Sequence, residues 1–565
     1  MRIRDFLALA CLGLAAARAA EWPSLRGHNG SGVSDAKAFA VQFGPERSVI
    51  WKTELPPGKS SPVVAAGRIF LTGHEQEKLL TLCLDQKTGK VLWRREIARG
   101  RTERRNALND AAAPTPVTDG RQVFVLFSEL GLVAYDLEGN EQWRVPLGPF
   151  ESEHGLATSP ILVGDNVIVV ADVFLHSHIA AFHKKDGKPS WKTERRDTLG
   201  AYATPAVYTP PQGPVEIVVA GPFEVDGYSA ATGEKLWWVS GLGHQPKSVT
   251  VIDQDTAYVN MRGWGGQYPK FSEVLAQLDK DGSKTVSREE ISKWGYFARH
   301  FAGFDLNHDG LLDESEWTFQ FAGEEALVAI RLGGRGDVTA THVRWKYKKS
   351  LPQTPAPLIY DGVLYLVRDG GIVTSLDPAG GQVLKQGRIK EAVEGFFSSP
   401  VAAEGKIYVS SESGKVIVLR AGKEWEKLAV NDLGEDIWAT PALLEGRMYL
   451  RTQSALYCFQ EKPGEAPAIS AAPKPVMTPE VLASYAGEYR TEQGRPLRLV
   501  WEDGLLLWRQ GDQDVQVVPI DTTSFRTRAR QSVTLRFERE EDKVVAVTVE
   551  WNEKFKPRFQ RVPAP

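Results

Sequence analysis

Apolar and polar residues alternate along most of this chain in short runs, broken by Gly, Asp and Asn. That pattern predicts half-buried β-strands separated by tight turns. One stretch shows the unit. Val63-Val64-Ala65 is a strand, Gly67-Arg68 a turn, Ile69-Phe70-Leu71 a second strand and Leu79 to Leu84 a third. The turn Asp85-Gln86-Lys87-Thr88-Gly89-Lys90 then leads to a fourth strand bearing Trp93, with Gly placed where positive φ is needed. The unit recurs. A Ser, Thr or Ala followed by Pro opens it at Pro62, Pro116, Pro160, Pro205, Pro357, Pro400 and Pro441, and Ser248-Val249 opens one more without the proline. Trp143, Trp191, Trp237, Trp345 and Trp425 are read into the slot of Trp93, and Lys385 stands there in the unit opened by Pro357. Four short strands every 40–45 residues or so predict a propeller blade, and the eight openings predict eight blades. The strand around Trp51 lacks partners before it, and Ala455 to Phe459 lacks a Trp-bearing strand after it. Joining the two completes the last blade and removes the open sheet edges.

The period changes between residues 262 and 324. Phe271, Val274, Leu275 and Leu278 follow helical spacing. Two acidic 12-residue loops follow, Asp279 to Glu290 and Asp305 to Glu316. Calcium takes six to eight oxygens, and this spacing wraps alternate side chains around one point with a Glu at position 12. The reading is an EF-hand pair. In the second loop Asp305, Asn307, Asp309, Asp313 and Glu316 offer side-chain oxygens and Leu311 its carbonyl, with Gly310 at the turn. In the first, Asp279, Asp281, Ser283, Glu290 and the carbonyl of Thr285 would form a weaker site. Lys284 stands there where Gly is expected, which costs about 1 kcal/mol at positive φ. The 14 residues between the loops, Ile291 to Phe304, predict one helix serving both.

The ends differ from both regions. Arg2 and Arg4 precede an apolar run, Phe6 to Ala17, that closes on small residues, so residues 1–19 read as a signal peptide. Residues 20–49 form a leader, 50–261 and 325–460 the two parts of the propeller, and 461–479 a Pro/Ala linker. Residues 480–562 read as a small antiparallel barrel or sandwich, with strands at Leu497–Trp501, Leu505–Trp508, Val515–Ile520, Val533–Phe537 and Val544–Val549. The expected fold is mainly β: an eight-bladed β-propeller with a helical EF-hand insertion and a small C-terminal antiparallel β domain.

Composition narrows the function. The chain has 565 residues and a formal charge of −3, with no basic stripe for nucleic acid. No segment beyond the first twenty residues is long and apolar enough to span a membrane, so the mature chain is expected to be soluble, and periplasmic or secreted. Three Cys cannot make a disulfide framework. His176, His178 and His183, Arg195-Arg196 and the Arg99–Arg105 cluster are candidate metal or anion sites, though ordinary strand and loop residues explain them as well. There is no G-x-S-x-G, phosphate loop or H-E-x-x-H. On geometry, the mouth of a propeller is the default ligand site.

The turn Asp-x-x-Thr-Gly-Lys-x-x-Trp, Asp85 to Trp93, resembles the tryptophan-docking motif of pyrroloquinoline quinone (PQQ)-like β-propellers. Trp22-Pro23-Ser24-Leu25-Arg26-Gly27 is similar to the opening of exported bacterial members. Tyr485-Ala486-Gly487-Glu488-Tyr489 resembles the start of the small β-domain appended to serine-β-lactamase-like proteins. The propeller resemblance implies one of two functions. One is a non-catalytic scaffold that binds a ligand or another exported or envelope protein, with calcium in a structural role. The other is a quinoprotein oxidoreductase acting on alcohols or sugars, with PQQ and calcium on the axis. The adjacent cysteines that many such dehydrogenases place over the quinone are missing here.

Overall fold

The computed structural model describes residues 21–262, 269–462 and 477–563, apart from residues 104, 107, 198, 199, 322, 493, 512, 528–532, 542 and 552–554. The expected signal peptide and most of the expected linker lie outside the described residues.

Eight antiparallel four-stranded units circle one axis. Blades one to three span residues 63–98, 117–146 and 161–194, and blade four spans 206–239. Blade five runs from Val251 to Tyr347, interrupted after Met261 by the helical insertion. Blades six and seven cover 358–388 and 401–432. Blade eight joins 442–460 to the strand Val49–Glu54, where Trp51 pairs with Cys458. The ring therefore closes as the sequence predicts.

A β-bulge fixes one special position in every fourth strand. Trp93, Trp143, Trp191, Trp237, Trp345, Lys385, Ala429 and Trp51 occupy it. Their partners on the third strand are mostly small, which is why Cys83 and Cys458 sit there. Burial pushes both thiols up to about 12, leaving them unreactive. Trp425 is not in the slot, correcting the sequence assignment. It lies in the hairpin before its strand, and its ring packs over Gly387 of blade six. Lys385, too narrow to fill the seam, donates to the Trp425 carbonyl at 2.8 Å and lies 4.8 Å from the ring centre.

The Trp slot and the glycine of the Asp-x-x-Thr-Gly turn are two halves of one joint. Trp143 lies on Gly187 of the next blade, and an added Cβ there would meet the ring at 2.6 Å. Trp51 covers Gly89 in the same way, at 2.5 Å. The glycine thus satisfies both a positive φ, 70° at Gly187, and a ring-to-backbone approach that no side chain permits.

The leader is part of the propeller. Trp22 pairs with Val64 of blade one, Pro23 accepts from Thr118 of blade two, Asn29 pairs with Val207 of blade four, and Val33–Ser34 adds a parallel strand to blade seven. Phe39 and Phe43 then pack against Tyr408 of blade seven and Phe459 of blade eight.

In the insertion, the expected first helix is present as Phe271–Leu278. The single linking helix is not. A 3-10 turn at Glu290–Lys293 and two short helices, Gly295–Arg299 and Phe301–Phe304, break at Trp294 and His300. The C-terminal unit is a closed eight-stranded barrel rather than a sandwich, around Tyr485, Tyr489, Phe525 and Phe537. It rests on blade six through Arg388 and Asp514, 2.8 Å apart with side chains 4% and 2% exposed.

Candidate functional site

The repeated Ser/Thr-Pro pairs meet at the axis. The backbone N–H of Ser61 donates to the Thr115 hydroxyl, Thr115 to Ser159, and Ser159 to Thr204, each at 3.0 Å. On the far side Ala356 donates to Ser399, Ser399 to Thr440 and Thr440 back to Ser61, at 2.9–3.0 Å. The chain of bonds breaks at blade five, where the proline is missing and the Ser248 hydroxyl instead donates to the carbonyls of Thr354 and Pro355.

Leu25 of the leader lines a hollow on each face of this ring, so the leader divides the axial channel in two. Arg26 beside it is fully buried, its Nη2 donating to the carbonyls of Pro357 and Pro400 at 3.0 and 3.2 Å. Its Nε and Nη1 are buried without a partner among the described residues. Burial pushes the guanidinium down to about 9, still charged at neutral pH. On the other face of the ring from the leader turn at His28–Asn29, the channel opens as a funnel of about 550 Å³.

The funnel wall is read from the repeat. The residue two before each axial position is Lys59, Ala113, Ala157, Tyr202, Thr354, Phe397 or Trp438 in seven blades, and all seven line it. Blade five contributes Lys247 instead. Lys59 lies 3.8 Å from the Trp438 ring centre, and Trp438 stacks on Phe397 at 4.1 Å. The Lys247 ammonium reaches the Gln245 carbonyl at 3.4 Å. Burial pushes it down to about 8, with Arg262 helping and Glu153 and Glu325 opposing. Burial likewise takes His154 down to about 4, so its ring is neutral. Asp369 is the one carboxylate among the described lining residues, and it accepts from Phe396 N–H at 2.8 Å. Sequence reasoning missed every one of these side chains, although the signal was present: their fixed distance from the Ser/Thr-Pro pair.

The predicted calcium loops lie together on blades three and four. Val286 pairs with Leu312, joining the loops back to back. Positions four and six of each loop have positive φ: Gly282 and Lys284 at 75° and 64°, His308 and Gly310 at 60° and 84°. The first loop draws carboxylate oxygens of Asp279, Asp281 and Glu290 within 4.8 Å of one another, the one such group among the described residues. Ser283 and Thr285 sit beside them, their hydroxyls 3.0 Å apart. In the second loop Asp305 accepts from Asp309 and Gly310, Asn307 from Asp309, and Asp309 from Leu311. Glu316 accepts from Leu306, Asn307 and Asp313. The closer gathering of carboxylates is in the first loop, because the second has Asn307 where the first has Asp281. The module is docked by His308, 3.6 Å from Asp197, and by Phe174 on His300 and Phe223 on Phe319 at 5.4 and 4.4 Å.

The other candidates are structural. Arg195 is buried between Asp172 and Asp226, and Arg99 and Arg105 pair with Glu129. The His178 ring bonds to the His176 carbonyl, and His183 is exposed at the end of its strand.

A family model described as outer membrane protein assembly factor BamB matches residues 51–193, 82–245 and 221–510, most of the chain. The chain belongs to this PQQ-like propeller family. No curated protein matches it. Among solved structures, quinohemoprotein alcohol dehydrogenase ADHIIG from Pseudomonas putida HK5 is 13% identical. It covers 82% of this chain and 84% of its own, with a TM-score of 0.51. The quinohemoprotein alcohol dehydrogenase of Comamonas testosteroni is 10% identical over the same shares, also at 0.51. BamB from Moraxella catarrhalis is 11% identical over 73% of this chain and 99% of its own, at 0.47. At these identities the likeness shows the propeller fold alone. No helix among the described residues is long and apolar enough to cross a membrane.

A quinone held through calcium needs several oxygens converging on the ion. The described funnel residues offer one carboxylate beside two ammonium groups, their other side-chain oxygens being hydroxyls and the amides of Asn109 and Gln353, so they lack the anionic ligand set that suits that pair. The two insertion loops do have calcium's donor chemistry.

Proposed function

We propose that this chain is an exported, calcium-carrying member of the BamB-like family that binds a ligand or envelope partner in its axial funnel and performs no oxidation. The observation that carries this reading is the funnel lining, Lys59, Lys247 and the Phe397–Trp438 pair with Asp369 as the single described carboxylate. The leader beneath supports it by giving the funnel a floor. Calcium would be held by Asp279, Asp281, Ser283, Thr285 and Glu290 in one loop, and by Asp305, Asn307, Asp309, Leu311, Asp313 and Glu316 in the other. Its role is structural. The broken linker between the loops leaves no long helix pair to open, and a site at about 100 times its dissociation constant stabilises the fold by about 2.7 kcal/mol.

The test is a dye-linked assay of the purified chain with PQQ, calcium and a panel of alcohols and sugars. The proposal expects no dye reduction above background. Stoichiometric retention of the quinone with turnover would replace it with the oxidoreductase reading.

A further inference from the structure

Three features of the funnel point to one ligand chemistry. The first is charge. Arg26 lies buried below the axial ring, and its reaching nitrogen meets proline carbonyls rather than a carboxylate. Above the ring, Lys59 and Lys247 come from blades one and five, which are diametrically opposed in an eight-bladed ring. A cation in a low-dielectric wall raises the local concentration of anions. The second is shape. Phe397 and Trp438 form a stacked aromatic shelf on the side of blades seven and eight, both half-exposed to the funnel. The small Ala113 and Ala157 leave the facing side open. The third is the scarcity of carboxylates: Asp369 is the one among the described lining residues, the other side-chain oxygens being hydroxyls and the amides of Asn109 and Gln353, a weak set for a bridging divalent ion.

We propose that the funnel takes a small aromatic carboxylate directly, its flat body against Trp438 and its charge against Lys247, with no metal ion between them. This rests on the funnel reading above and names its ligand class. The volume, about 550 Å³, falls in the range of ordinary small-molecule sites. Lys247 is the better counter-ion of the two lysines, because it meets the Gln245 carbonyl at a long 3.4 Å, with Glu153 and Glu325 in its surroundings, whereas Lys59 lies on the Trp438 face and donates to the Leu108 carbonyl.

The probe is 2-naphthoate, followed by quenching of Trp fluorescence and by calorimetry on the full chain at pH 7. Its neutral analogue 2-naphthol is the comparison. Naphthoate should bind at least ten-fold more tightly than naphthol. Lys247→Met should remove that preference, Lys247→Arg should keep it, and Trp438→Ala should weaken both probes together. Unchanged thermal melting of the Lys247 variants separates lost binding from lost folding. Metal dependence is read in a Glu290→Gln/Glu316→Gln chain, whose insertion no longer answers to calcium. EDTA should leave naphthoate affinity within two-fold there. Equal affinity for the two probes, unaltered binding in Lys247→Met, or loss of binding with EDTA in that variant would each overturn the inference. None of these outcomes depends on the dye-linked assay: turnover with PQQ would refute the scaffold reading, whereas absent naphthoate binding without turnover would refute this ligand class alone.

Discussion

Five seams of the propeller are built alike and three are not. Between blades eight and one, one and two, two and three, three and four, and five and six, a Trp lies on the glycine of the neighbour's turn. The other three seams each lack at least one half of that joint, and each has a different substitute. Between six and seven, Lys385 stands in the Trp slot and Trp425 covers the gap from the opposite blade. Between seven and eight the slot holds Ala429, and the leader supplies Phe39 and Phe43. Between four and five the turn itself is missing. Trp237 turns inward instead, fully buried and donating to the Glu216 carboxylate at 2.8 Å. Gly336–Asp337 of blade five's long hairpin adds a fifth, parallel strand to blade four. The insertion then closes over the top through Phe319 on Phe223 and Glu324 on Gly241. A seam thus needs buried aromatic area and a backbone that permits it, not one fixed pair of residues.

The largest effect should come from removing a substitute that also completes a blade. Deleting residues 21–53 takes away the leader and the outer strand of blade eight, and cooperative unfolding should be lost; an unchanged melting curve would refute ring closure. Phe43→Ala tests the leader's seam alone and should cost about 3–5 kcal/mol, measured by chemical denaturation. At a regular seam, Gly187→Ala combines positive φ with a clash on Trp143 and should cost about 2–4 kcal/mol. Gly67→Ala has the same sign of φ, 72°, and open space around it, so it should cost about 1 kcal/mol. Equal losses at the two glycines would show that the ring contact contributes nothing.

A smaller effect concerns the barrel. Burial works to raise Asp514, but hydrogen bonds from Arg509 and Arg388 outweigh it and hold the carboxyl below its usual range. A depressed carboxyl gives stability that is present above its unfolded value and lost as pH falls through the folded one. Docking should therefore weaken below about pH 4. Arg388→Ala should weaken it at neutral pH by on the order of 3 kcal/mol. Limited proteolysis of the linker reads both.

The blade count, the ring closure and the first helix of the insertion were legible because each repeats a strong local pattern. Trp425 misled because it lies four residues before the slot, and only the bulge between Val418 and Leu419 shows which residue occupies it. In the barrel, strands Gly487–Arg490, Ser524–Thr527 and Arg558–Arg561 escaped because each carries only one buried apolar side chain among polar neighbours. The funnel was the largest omission. Its lining residues share a position but no chemistry, so composition gives no hint of them until the hydroxyl ring fixes which side faces the axis.

Held by calcium as proposed above, the insertion would do at the seam between blades four and five what tryptophan and glycine do elsewhere. Hydrogen–deuterium exchange with and without a calcium chelator tests it most directly. Protection should fall in residues 271–321 and in the blade-four loops near 221–244, while blade two, residues 117–146, stays unchanged. Loss of protection spread evenly around the ring, or none at the blade four–five seam, would contradict the claim.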